Sequence, residues 1–286
     1  SPAKQVLGIM RVSVIVTTFN RPSYLQKVLA SYLHQTRAPD ELIVADDGST
    51  DATESVIAGF TERAPFPILH AWQEHQGGPR LSHLRNLATR QTTGDYLIYT
   101  DGDCVASPHF VADHVRLARP DWFVQGKRAW VRYQAMDNFT GQESFLRKLW
   151  LCATNGLTKP HWLLHVAGIA MENKSSEGIR SCNLGVFREN VVQINGWNEQ
   201  FLGFWRQDSE FALRLMRSGV RRHDALFSAM VYHLEHEKNL NIQDLERNNR
   251  LLAEAQYRPI FTPLGLFAEA PHEQASGRLA TPSLSP

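Results

Sequence analysis

Residues 96–103 read YLIYTDGD, a short apolar run that passes directly into Asp101-Gly102-Asp103. Such a run, ended by turn-forming residues, predicts a buried β-strand whose carboxyl end carries two acids. The same grammar recurs upstream. Residues 12–16 (VSVIV) end at Thr17-Thr18-Phe19-Asn20, and residues 42–45 (LIVA) are followed by Asp46-Asp47-Gly48. Residues 68–72 predict a third strand. Between these runs the apolar spacing turns helical. Pro22 suits a first helical turn, and Leu25, Val28, Leu29, Tyr32 and Leu33 follow on one face. Ser49 is the expected cap of a helix over residues 51–60, and residues 81–90 predict the next helix. Strands alternating with helices imply right-handed crossovers and a mostly parallel sheet covered on both faces.

Beyond Pro120 the rhythm changes. Residues 121–133 are aromatic and strand-like, 139–152 helical, and 172–179 (ENKSSEGI) a polar loop. Residues 183–187, a helix over 208–218, and residues 225–233 suggest a mixed α/β second half. Residues 269–286 are rich in Ser, Pro and Ala and read as a mobile tail, and residues 1–8 as a frayed start.

The composition narrows the classes. Of 286 residues, 43% are hydrophobic and 21% charged, a globular mix. Thirty basic against 29 acidic residues leave a net charge of +1, which argues against a nucleic-acid partner. No apolar run reaches the roughly 18 residues of a membrane span; the longest candidate, 162–171, is broken by His165. The N-terminus has no basic segment before an apolar core, so no signal peptide is expected. Cys104, Cys152 and Cys182 are odd in number and far apart, which fits reduced thiols.

In an open α/β sheet, ligands bind beyond the carboxyl ends of the strands. Three polar clusters fall at that edge: residues 17–21, Asp46-Asp47, and Asp101 to Asp103. Asp101 and Asp103 can approach one hard cation, and Gly102 lets a diphosphate come close to the backbone. A divalent ion there would stabilise the charge on a departing diphosphate.

VSVIVTTFNRP, ELIVADDGSTDAT and GGPRLSHLRNLATRQTTGDYLIYTDGDC together resemble glycosyltransferase family 2, with its GT-A fold. Further on, CNLGVFRENVVQINGWNEQFLGFWRQDSEFALRLMRSG resembles a segment shared with galactosyl- and N-acetylgalactosaminyltransferases. The resemblance spans residues 12–236. It implies an α/β, Rossmann-like domain: residues 9–120 bind the nucleotide sugar, and 121–260 bind the acceptor and carry the catalytic base.

The resemblance also implies roles. Thr17, Phe19 and Arg21 would line the uracil and ribose of a UDP-sugar. Asp47, with Asp46 beside it, would accept from the uracil N3–H. Arg80 and Arg85 would supply cationic contacts, and Asp101 and Gly102 would face the nucleotide. Asp101, Asp103 and a late histidine would hold the metal. His233 is expected in that role, with His236 as its rival. An oxygen shell with one imidazole suits Mn²⁺ or Mg²⁺, Mn²⁺ being favoured. Asp208 is the expected base, taking a proton from the acceptor hydroxyl in an inverting transfer. The family usually has Glu-Asp where this chain has Gln207-Asp208. Gln207 and Trp205 would face the acceptor, and Cys182 and Asn183 the donor sugar. Trp197 is either a sugar platform or core, and Cys104 a small packed residue.

The implied reaction moves a hexose or N-acetylhexosamine from a UDP-sugar to a glycan or lipid-linked hydroxyl. Its expected setting is bacterial surface polysaccharide or lipopolysaccharide synthesis, in the cytoplasm, with peripheral contact at the inner membrane face. The alternatives are a binding-only module of the same fold and a sugar nucleotidyltransferase. The latter would show a glycine-rich loop after the first strand, where this chain has TTFNRP. Residues 259–267 are expected to pack against the core. The sugar, acceptor, linkage and oligomeric state stay open.

Overall fold

The computed structural model describes residues 10–237 and 241–267. The expected tail at 269–286 and the start at 1–8 lie outside the described residues.

Strand β1 (Val12–Thr18) is buried at every position, as is β2 (Glu41–Asp46). With β3 (Ile68–Trp72) and β4 (Tyr96–Asp101) they form four parallel neighbours in the order β3-β2-β1-β4. The runs of β1, β2 and β4 do not alternate because both faces are covered, whereas the edge strand β3 exposes Leu69 and Trp72. Val12, Val14 and Val16 pack toward helices α1 (Pro22–Tyr32) and α2 (Asp51–Thr61), through Leu25, Val28, Leu29, Ile57 and Phe60. Ile15, Ile43 and Ala45 pack on the opposite face with Leu84 and Ala88 of α3 (Leu81–Gln91).

Beyond β4 the sheet turns mixed. The eight-stranded order continues through β9 (Asn183–Phe187), β6 (Trp122–Gln125), β10 (Arg221–Ala225) and β8 (Ala170–Glu172). β9 runs antiparallel to both β4 and β6. A second, three-stranded sheet joins β5 (Cys104–Ala106), β11 (Met230–Leu234) and β7 (Lys127–Val131). Its register sets His233 opposite Cys104, next to Asp103. The remaining helices are α4 (Phe110–Leu117), α5 (Tyr133–Met136), α6 (Phe145–Ala153), α7 (Arg188–Gln193), α8 (Gln207–Arg217) and α9 (Ile242–Ala255).

Several boundaries differ from the sequence reading. The aromatic stretch 121–133 is two strands, β6 and β7, that part at Gly126 and enter different sheets. The helix expected from 139 begins at Phe145, because Gly141 turns at φ 84° and Ser144 accepts from the Arg147 N–H as cap. Ser49 does not cap α2; Thr50 precedes the helix, and the Ser49 hydroxyl donates to Asp46. In residues 259–267, Leu266 and Thr262 are buried, whereas Phe261, Leu264 and Phe267 are exposed. Trp197 is core: it is fully buried and stacks on Phe211 at 3.9 Å.

The site's far side is held by a buried polar pair. His114 on α4 and the Asn183 Oδ1 lie 2.9 Å apart, and both side chains are buried. Burial, opposed by Asn183 and Asp113, pulls the His114 imidazole down to about 4. The unfolded chain therefore takes up a proton from about pH 6.5 downward that the folded chain refuses until about pH 4. Stability should fall as pH drops through that window, by roughly 2–3 kcal/mol from this residue. Urea melts between pH 7 and 4.5 check it: His114→Gln should show a flatter loss than the wild type.

Candidate active site

Asp101 ends β4 beside the carboxyl end of β1, where Thr17 pairs with it in register. The Thr17 hydroxyl donates to Asp101 at 2.8 Å. Gly102 is required by the next contact: its N–H donates to the Thr17 carbonyl at 2.6 Å, and a Cβ would stand 2.8 Å from that oxygen. Arg85, on α3, reaches the same place from below the sheet edge. Its guanidinium is almost fully buried and lies 3.6 Å from Asp101 and 3.7 Å from Asp208. It also sits 4.7 Å over the ring of Trp197, which Tyr99 and Phe211 hold in the core. Enclosure pushes the Asp101 carboxyl up to about 6, with Arg85 partly offsetting it. The facing atoms, Arg85 Nη1 and Asp208 Oδ1, are buried and have no hydrogen-bond partner. They face each other at 3.7 Å, an ion pair too long for a direct hydrogen bond.

Asp103 points the other way, toward His233 and His236. One ligand atom from each of the three falls within 4.8 Å of the others. The His233 Nδ1–H donates to its neighbouring Leu234 carbonyl at 2.9 Å, which leaves Nε2 facing Asp103 at 3.4 Å. The His236 Nδ1–H donates to the Glu237 carbonyl at 2.7 Å, and its Nε2 lies 3.0 Å from Asp103. Burial brings the His233 imidazole down to about 4, so it stays neutral as a ligand must. Burial of Asp103 opposes its ionisation, yet His233, His236 and Arg21 outweigh it and hold the carboxyl at about 2. One carboxylate and two outward imidazole nitrogens are a donor set that fits a divalent transition-metal ion. The set expected from sequence joined Asp101 and Asp103 to one histidine. The structure instead gathers Asp103 with both histidines, while Asp101 faces Thr17 and Arg85.

Around β2 the two neighbouring acids separate in use. Asp46 accepts from the Ser49 N–H and hydroxyl and lies 3.0 Å from His70 Nε2, so its carboxylate holds the turn. Asp47 accepts from Gln73 and lies 3.0 Å from His75 Nδ1. The His75 ring stacks on Phe19 at 4.3 Å and 11°, and Phe19 is 38% exposed. His83 Nδ1 and the Gln73 side-chain Oε1 are 2.6 Å apart, extending the chain. Arg80 donates to the Glu74 carbonyl at 3.2 Å, and Arg21 lies 3.6 Å from Asp103.

On the second half, Trp205 and Arg206 adopt left-handed backbone at φ 81° and 72° immediately before α8. This costs on the order of 1–3 kcal/mol per residue and must be held from outside. Asn248 of α9 does so: its Nδ2 donates to the Leu202, Phe204 and Trp205 carbonyls. The result sets half-exposed Phe204 and Trp205 beside Gln207 and Asp208, with the Gln207 Oε1 buried and unpartnered. Glu210 and Arg214 form a buried pair at 2.7 Å, and Arg214 donates to the Ile194 and Gly196 carbonyls; they anchor the helix. Asn183 is buried and its side-chain amide is fully bonded. Its Nδ2 donates to the Lys127 and Ala229 carbonyls, and its Oδ1 pairs with His114, so it ties both sheets together. Cys182 is buried, with Arg128 Nη1 3.7 Å from its sulfur.

The profile of glycosyl transferase family 2 matches residues 13–175. The chain belongs to glycosyltransferase family 2. A second profile, described as the N-terminal domain of galactosyltransferase, matches residues 165–237. The chain is 27% identical to the chondroitin synthase of Escherichia coli over 82% of its own length, and 26% identical to the hyaluronan synthase of Pasteurella multocida over 87%. It spans only 36% and 27% of those two proteins. The fold is that of the GT-A glycosyltransferases. S. aureus TarS in complex with UDP-GlcNAc superposes with a TM-score of 0.61 at 18% identity, covering 86% of this chain and 66% of that one. A mannosyltransferase from Pyrobaculum calidifontis, in complex with GDP-Man and Mn²⁺, gives 0.59 at 19% identity, covering 89% and 68%.

Within this family 2 chain, the residues that sequence reasoning missed are Gln73, His75, His83 and Asn248. The first three follow β3 without any apolar period of their own, and Asn248 is one of two adjacent asparagines on a polar helix. No local pattern marks them; each becomes visible through the partner it meets.

Proposed function

We propose that this family 2 glycosyltransferase is metal-dependent and inverting, and that it moves a hexose or N-acetylhexosamine from a UDP-sugar to a hydroxyl of a glycan or lipid-linked acceptor. The observation that carries the reading is the linkage of two groups: Asp103 gathers His233 and His236, and Asp101, two residues before it, shares Arg85 with Asp208. A complex of a structural neighbour with UDP-GlcNAc supports a UDP-sugar, and another with Mn²⁺ supports the metal.

In this reading the Phe19 ring, backed by His75, stacks on the uracil, and Asp47 accepts from its N3–H. Bound at Asp103, His233 and His236, Mn²⁺ or Mg²⁺ would supply charge neutralisation for the diphosphate. Arg21 lies on the same side and adds a cation. The acceptor sugar rests on Phe204 and Trp205, and its hydroxyl donates to Asp208. As that oxygen attacks the anomeric carbon from the face opposite UDP, Asp208 takes the proton and the departing bond's electron pair leaves with UDP. Arg85 lies between Asp101 and Asp208, at 3.6 and 3.7 Å, and orients the base. Residues 9–120 then serve the donor and 121–260 the acceptor. The relatives' names support a role in bacterial polysaccharide synthesis. Among the described residues no helix is long and apolar enough to cross a membrane.

Calorimetric titration of UDP with and without Mn²⁺ tests the core of this reading. UDP should bind at least about tenfold more tightly with the metal. Binding indifferent to metal would remove the metal role, and no binding to a folded protein would overturn the UDP assignment.

A further inference from the structure

The loop that carries Phe204 and Trp205, residues 202–206, is gripped from two sides. Toward the nucleotide half, the Gly203 N–H donates to the Pro79 carbonyl at 2.8 Å. On the other side stands α9. Its Asn249 Oδ1 accepts from Arg206 Nε at 2.6 Å, and its Asn248 Nδ2 donates to the Leu202, Phe204 and Trp205 carbonyls at 2.8, 3.3 and 3.0 Å. Asn248 is fully buried, and three carbonyls can be met only by the donor end of an amide, so its orientation is fixed. Gly203 comes so close to the helix that a Cβ would stand 2.4 Å from an Asp244 oxygen.

α9 is itself secured at both ends. Asn241 caps it, accepting from the Gln243 and Asp244 N–H groups, and Arg217 at the end of α8 donates to the Ala255 carbonyl at 2.8 Å. The helix therefore braces the chain from the loop before α8 to the end of α8. Neither family profile reaches it, since the matched segments end at residue 237.

Trp205 and Arg206 are consecutive non-glycine residues in left-handed backbone, a conformation that an unheld loop leaves for negative φ. That change would swing the Trp205 ring and redirect the chain where it enters Gln207 and Asp208. Three hydrogen bonds from one buried amide oppose it. The donor side is held by other partners: His75 for Phe19, Gln73 and His75 for Asp47, and the two histidines for Asp103. We infer that Asn248 is a positioning residue for the acceptor, fixing the Phe204–Trp205 platform and the approach of Asp208 while taking no part in holding the donor. This rests on the transfer reading above, and it adds α9 to the acceptor site.

Hydrogen–deuterium exchange on wild type and Asn248→Ala, with UDP and Mn²⁺ present, reads the loop without an acceptor. Asn248→Ala should speed exchange across residues 202–206 by about tenfold or more, with β1 and β4 within about twofold of wild type. Steady-state kinetics then separate the two substrates, using the p-nitrophenyl hexoside or N-acetylhexosaminide that wild type glycosylates fastest. The acceptor KM should rise about tenfold or more and kcat should fall, with donor KM and UDP affinity within about twofold. Unchanged exchange in the loop or an unmoved acceptor KM overturns the inference. So do donor and acceptor constants that weaken together, which would mark plain structural support. Should Asn248→Ala fail to fold, Asn248→Ser keeps a donor for one carbonyl, and about threefold or more is expected in each readout. UDP is titrated against wild type alongside. If UDP fails to bind, the nucleotide reading falls; if sugar is transferred while the acceptor KM stays put in the variant, only the role of Asn248 falls.

Discussion

Asp208→Asn should lower the rate of sugar transfer by about 10³-fold while leaving UDP affinity within about twofold. The amide keeps the shape of the carboxylate but cannot accept the acceptor's proton, so the loss falls on the chemical step. The structural cost should be small. Asp208 is the second residue of α8, the residue preceding that helix is Arg206, and no side-chain cap bond is made there. Arg85 also retains its second partner, Asp101, at 3.6 Å. Single-turnover product formation, beside a thermal melt within a few degrees of wild type, checks both halves. Transfer surviving within about tenfold would remove Asp208 from the base role. The accompanying stereochemical expectation is a β-linkage from an α-linked donor, read from the anomeric proton coupling of the product.

Asp103→Ala should weaken Mn²⁺-dependent UDP binding by about 100-fold or more. Asp103 is the shared member of its cluster: His233, His236 and Arg21 all face it, at 3.4, 3.0 and 3.6 Å. Its removal leaves two imidazoles, a weak site for a hard cation. The pH dependence has a definite sign. Hydrogen bonding to Asp103 raises the His236 imidazole above its usual value, so near neutral pH a proton competes for that nitrogen. Wild-type Mn²⁺ affinity should therefore rise with pH as His236 gives up its proton. A calorimetric series from about pH 6 to 8 measures this, and an affinity that is flat across it would take His236 out of the site.

The first half of the domain was legible because β1, β2 and β4 are buried on both faces. VSVIV and LIVA carry no alternation to misread, and each ends in a polar cluster. The Asp-Gly-Asp turn was legible for the same reason, since it follows an apolar strand and contains a residue that the Thr17 carbonyl leaves no room to replace. The second half was less so. Nothing in residues 121–133 says that the chain changes sheets at Gly126, because both strands are short and aromatic and their partners are some 60 to 100 residues away. Asp46 and Asp47 are equivalent in sequence. His70 and Ser49 claim one, and Gln73 and His75 the other. His233 and His236 stood as rivals, and the return of β11 beside β5 brings both to Asp103.

By itself, then, the sequence determined the α/β class, the crossover-linked, mostly parallel sheet and the strand ends at which the polar clusters fall. Those depend on local hydrophobic runs and on turn chemistry, which act over a few residues. Tertiary structure decided which carboxylate meets which cation: Arg85 between Asp101 and Asp208, and both histidines at Asp103. Charges and hydrogen bonds depend on distance through space, and the chain fixes that distance only after strands far apart in sequence have paired.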